Sequence, residues 1–89
     1  MNMNTANQRA ARLPFQEYVS TLGRIRKSML WAEIRLATGK DNTTIWRWAN
    51  GYSRPGKSDM DNIAFCVNKF SEKGLSGDAL FPEDYPYKG

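Results

Sequence analysis

Gly23, Gly39, Gly51 and Gly74, together with Pro14, Pro55 and Pro82, cut this chain into stretches about one helix long. Alternating apolar and polar runs of the kind a strand needs are scarce between them. Punctuation at this spacing leaves little room for anything but short helices joined by tight turns.

Each stretch carries a roughly helical apolar spacing. Pro14 suits a first helical turn, where its missing N–H costs nothing, and Leu13, Phe15, Tyr18, Val19 and Leu22 continue the pattern, so a first helix is expected over 13–22. With Gly23 as its C-terminal stop, a second helix is expected over 24–38. Ile25, Met29 and Leu36 form one stripe along it, and Leu30, Ile34 and Ala37 form a neighbouring one. A different division also fits: the first helix runs through Gly23 to Lys27, and the second starts with Ser28 as N-cap. Gly39 ends the second helix in either case.

Asp41 is a natural N-cap for a third helix over 42–50, because its carboxylate can accept from the free amides of the first turn and its charge suits the helix dipole. On that helix Ile45 and Trp48 share an inward face with Ala49 beside them, Gly51 occupies the position just past the end, and Pro55 follows. Ser58 with Asp61 three residues on resembles a capping box. It opens a fourth helix over 59–71 whose inward residues are Met60, Ile63, Ala64, Val67 and Phe70, and Gly74 ends it. The segment SGDALF makes a last short helix, anchored by Leu75, Leu80 and Phe81 and stopped by Pro82, and EDYPYKG is expected to be extended. The fold class expected is all-α: a compact domain of four to five helices over 13–82, with a flexible segment over 1–12 and an extended tail over 83–89.

Length and composition agree with one small domain. A chain of 89 residues that is 40% hydrophobic can build one modest core. Cys66, alone and within the apolar run Ile63 to Val67, reads as a small buried hydrophobe. The first residues hold no apolar run like that of a signal peptide, and nothing approaches the roughly 20 apolar residues of a membrane span, so a cytoplasmic protein is expected. With no histidine, no Gly-rich phosphate loop and no clustered acids, the expectation is a protein that is not an enzyme and holds no metal. No small-molecule cofactor is implied, since nothing of the chain remains for an effector domain.

Charge is distributed unevenly. Residues 1–57 hold ten Lys/Arg against three acids, +7, whereas residues 58–89 hold three against six, −3. The basic part is where a polyanion would dock.

The stretch ATGKDNTTIWRWANGYSRP, with its glycine turn, polar cap, Thr-Ile pair, Arg-Trp and Asn-Gly, resembles the helix-turn-helix of the lambda repressor-like family of Cro and CI-type proteins and small phage or mobile-element regulators. DALFPED resembles the Leu-Phe-Pro ending of such domains. The likeness covers about 15–82 and is most specific between Gly39 and Pro55. It implies a sequence-specific transcriptional regulator of double-stranded DNA that represses by occupying its site, with the helix over 42–50 in the major groove. Three positions depart from the family pattern: Arg35 stands where a small residue is usual, Thr38 where an apolar one is common, and Asn42 where a glutamine is found.

With that helix in the groove, Asn42, Thr43, Trp46 and Arg47, at i, i+1, i+4 and i+5, form one outward surface facing base edges. Arg47 can bind guanine through two hydrogen bonds and Asn42 can pair with adenine, each worth roughly 1–3 kcal/mol of discrimination. Trp46 fits packing on a neighbouring element or a dimer contact as well as a sugar or a thymine methyl. Asn42 and Thr43 also fit as plain helix-start residues, and Arg47 as surface charge. Lys40, Arg54 and Lys57 are candidates for DNA-backbone contacts, with Tyr52 and Ser53 as weaker donors; Asn50 either meets phosphate or caps the turn at Gly51. A homodimer on a palindromic site is expected, because one short helix reads few base pairs. Phe70, the segment Leu75 to Phe81 and the tail with Tyr85 and Tyr87 are the candidate dimer surfaces. The alternative function is a protein-interaction or antitoxin-like module on the same fold.

Overall fold

Pro14 stands in the first turn of α1 (Pro14–Ser20) in the computed structural model, which describes residues 12–71 and 74–88. Four more helices follow: α2 (Arg24–Thr38), α3 (Asn42–Ala49), α4 (Lys57–Phe70) and α5 (Gly77–Leu80). Among the described residues the fold is all-helical, without a strand. Of the N-terminal segment, residues 1–11 lie outside the described ones.

Gly23 acts differently from the stop that its position suggests. The end of α1 comes earlier, at Thr21, whose hydroxyl donates to the Tyr18 carbonyl (2.6 Å). Gly23 is the N-cap of α2, extended at φ −71° and ψ 169°, and its carbonyl accepts from the Lys27 N–H (2.9 Å). That ψ breaks the helical ladder, so the division in which one helix runs through Gly23 to Lys27 does not occur. Gly39 does end α2, in the left-handed region at φ 73°.

The fourth helix begins two residues before the expected start. Gly56 is its N-cap and makes no side-chain bond, while the anticipated pair Ser58 and Asp61 lies within the first turns, where Asp61 accepts from Lys57 (3.4 Å). The helix also stops short of Gly74, because Ser71 is extended at φ −147°. Asn68 closes the connection that follows: its Oδ1 accepts from the Leu75 N–H and its Nδ2 donates to the Leu75 carbonyl, both at 2.9 Å. Ser76 then caps α5 by accepting from the Ala79 N–H (3.1 Å).

The core lies between α2, α4 and α5, with α1 and α3 closing its ends. Phe15 and Phe81, both fully buried, stack with ring centroids 5.1 Å apart, and Leu30, Ile34, Ile45, Trp48, Ile63, Val67 and Leu80 fill in around them. Cys66 is buried, and burial pushes its thiol upward, with the nearby Glu33 charge adding to the shift. Only one of the two α2 stripes is used. Leu30 and Ile34 point inward, while Ile25, Met29 and Leu36 are 76%, 54% and 84% exposed and Ala37 is exposed with them. The opposing helices cover a single face of α2, and both stripes cannot turn toward them at once.

The candidate pairing surfaces also contribute to the core of one copy. Leu80 and Phe81 are buried, and Phe70, Leu75, Tyr85 and Tyr87 pack against the core. The tail folds back: the Tyr87 hydroxyl donates to the Pro82 carbonyl and the Lys88 N–H to the Gly51 carbonyl, both at 2.9 Å. Among the described residues no helix is long and apolar enough to cross a membrane.

Candidate nucleic-acid interface

The turn Gly39 to Asp41 joins α2 to α3, and three local interactions hold it. The Thr38 hydroxyl donates to the Ile34 carbonyl (2.7 Å) and accepts from the Lys40 N–H (3.2 Å). Asp41 caps α3 by accepting from the Thr44 N–H at 2.9 Å. That backbone bond, helped by the Thr44 hydroxyl, holds the Asp41 carboxyl below its ordinary value.

A carboxyl lowered by folding contributes stability that is complete above its unfolded value and is lost as pH falls through the folded one. Comparing the parent with Asp41→Asn, which keeps an accepting oxygen without the charge, is therefore expected to give a stability difference that favours the parent at neutral pH. The difference should shrink on acidification below the carboxylate range, and denaturation midpoints at neutral and acidic pH measure it. A difference independent of pH would show that the charge at Asp41 is not used.

The faces of α3 separate cleanly. Ile45, Trp48 and Ala49 are buried, while Asn42, Thr43, Trp46 and Arg47 face outward together. Trp46 is 52% exposed and stacks one side on Tyr52, with centroids 5.5 Å apart and planes 22° off parallel. The Arg47 guanidinium lies 5.6 Å from the Tyr52 ring centre and the Lys88 ammonium 5.0 Å from it. Tyr52 thus orients an indole and two cations, a larger task than donating weakly to phosphate. Lys88 was not a candidate from sequence, because only the folded-back tail brings it here.

The other backbone candidates divide. Lys40 reaches out near Asp59, 3.7 Å away, and Lys57 pairs with Asp61 on an exposed helix face. Ser53 is partly exposed in the turn after α3. Asn50 serves the fold: its Nδ2 donates to the Trp46 carbonyl (2.9 Å) and its Oδ1 accepts from Gln16 (3.4 Å). Arg54 turns inward, donating from Nε to the Phe81 carbonyl (2.9 Å) and from a terminal nitrogen to Asp78 (3.1 Å), so its fork fastens α5 to the turn. Of the expected contact residues, the structure gathers Asn42, Thr43, Trp46 and Arg47 on one surface with Tyr52, and places Lys40 and Lys57 in separate ion pairs.

Beside this surface, α1, α2 and α3 enclose a cleft of about 740 Å³. Arg12, Arg24, Lys27 and Arg35 line it with Trp31, and among the described residues no carboxylate does. Arg35, which stands where the resembling family has a small residue, is exposed on this wall. The cleft is assembled from three elements, and no local sequence signal announces it.

In comparisons with known proteins, no family model, no curated protein and no solved structure matches this chain.

Proposed function

We propose that this chain is a sequence-specific double-stranded DNA-binding regulator that uses α2 and α3 as a lambda repressor-like helix-turn-helix and represses by occupying its site. The observation that carries the reading is the division of α3. A buried Ile45, Trp48 and Ala49 hold the helix rigidly, and Asn42, Thr43, Trp46 and Arg47 stand outward as one hydrogen-bonding surface. Side chains of these types match base edges in the major groove, and the surrounding Lys40 and Lys88 supply charge that attracts phosphate regardless of sequence.

A selection from random duplexes at about 150 mM salt tests it. The parent is expected to yield a palindromic motif, the sign of a homodimer. Arg47→Ala should cost about 1–3 kcal/mol and relax the preference at one base pair. Lys57→Ala should weaken all sequences alike and reduce the salt slope by about 0.9. A parent that selects no motif would overturn the reading.

One observation favours a second reading, a protein-interaction module. Ile25, Met29 and Leu36, at i, i+4 and i+11, make an exposed apolar stripe along α2, and a contiguous exposed apolar surface marks protein contact. Under that reading the selection returns no motif.

A further inference from the structure

We propose that the cleft between α1, α2 and α3 is a second site, one for single-stranded nucleic acid, taking phosphates on Arg24, Lys27 and Arg35 and an unstacked base against Trp31. Charge is the first argument. Arg24, Lys27, Trp31 and Arg35 follow one another at i, i+3, i+7 and i+11, a line about 16 Å long on one side of α2. None of the three cations is ion-paired among the described residues, and Arg12, which is paired with Glu17 at 3.3 Å, extends the same wall.

The aromatic residues make the second argument. A smaller recess of about 380 Å³, bordered by Trp31, Asn42, Thr43 and Trp46, opens beside the cleft. Each of its indoles stacks on another ring, Trp31 on Phe15 with centroids 6.2 Å apart and Trp46 on Tyr52, and the Lys27 ammonium lies 5.9 Å from the Trp31 ring centre. Rings held in this way form a platform for a base, and the Asn42 amide and Thr43 hydroxyl at the border can bond its polar edge. A cleft of about 740 Å³ lies within the range of ligand sites, roughly 300–1,000 Å³. A duplex keeps its bases stacked and can lay only its phosphates across such an opening. Stacking on the indole faces, as distinct from contact with a base edge, requires a base that has left the stack.

The site shares Asn42, Thr43 and Trp46 with the outward face of α3 and differs from it in the α2 cations and Trp31, while Arg47 does not line it. The test uses the full chain and a labelled thymidine oligomer of about 12 nucleotides, within the site sizes of single-strand binders. Anisotropy and tryptophan quenching are followed for the parent, Arg24→Ala/Lys27→Ala, Arg35→Glu and Lys69→Ala, with thermal unfolding to verify that each is folded. The parent is expected to bind with quenching. The double variant and Arg35→Glu should each bind about tenfold more weakly or worse, the double variant should lower the salt slope by about 1.4, and Lys69→Ala, which removes a cation of α4 away from the cleft, should bind as the parent does.

Failure of the parent to bind the oligomer at about 50 mM salt overturns the proposal, as does unchanged binding by both cleft variants. Loss of binding in Lys69→Ala alone overturns it too. If only duplex binds and the cleft variants weaken that, the cleft tracks a duplex backbone and the single-strand assignment falls. The duplex reading fails independently, through an absent motif in the selection, whatever the oligomer does.

Discussion

Phe81→Ala is expected to remove about 3–5 kcal/mol of the domain's stability. Phe81 is fully buried, and its ring stacks on that of Phe15, itself fully buried. Truncating a buried aromatic to alanine costs about 3–5 kcal/mol through lost transfer energy and the cavity left behind. At roughly 0.05–0.15 kcal/mol per residue, a chain of 89 residues holds about 4–13 kcal/mol in all, so this one change removes a large share. Leu36→Ser is the control, since Leu36 is equally apolar but lies on the uncovered side of α2; its effect should stay within about 0.5 kcal/mol. Urea denaturation followed by far-UV circular dichroism measures both. A cost below about 1 kcal/mol for Phe81→Ala would mean that the segment after α5 is not part of the core.

Gly77→Ala is expected to destabilise by about 1–3 kcal/mol, although alanine is the better helix former by up to about 1 kcal/mol in a helix interior. The reason is distance. A Cβ at Gly77 would lie 2.8 Å from the Met60 Cβ and 3.1 Å from the Met60 backbone carbon and oxygen. Those atoms belong to the body of α4 and cannot swing aside as the tip of a side chain would, so α5 must lift away and take Leu80 with it. Met60→Ala, which keeps the Cβ and the backbone, should therefore fail to rescue Gly77→Ala. Denaturation midpoints of the two single variants and the double variant decide the matter, and a Gly77→Ala as stable as the parent would refute the close approach.

How far the sequence can be read depends on whether a residue's task is local. Asp41, Ile45, Trp48 and Gly51 each act within a turn or two of themselves, and α3 forms with the cap, the inward face and the ending that their spacing predicts. Gly23 is ambiguous for a physical reason: a glycine can either stop one helix or open the next, and only the backbone torsion distinguishes the two. The two stripes of α2 are equivalent on a helical wheel, and the choice between them is made by α4. Arg54 reads as a loop cation until its partners, Asp78 and the Phe81 carbonyl, arrive from far along the chain. The cleft is the extreme case, since α1, α2 and α3 all contribute walls to it.

The Asn68 amide, bonded twice to the backbone of Leu75, makes the stretch between them a closed ring whose ends do not depend on what lies inside. Its closure entropy grows only with the logarithm of its length, about 0.6 kcal/mol per doubling. Extra residues placed after Ser71 would therefore leave the register of α4 and α5 intact. A foreign epitope or a fluorescent label introduced at this point would cost the core little.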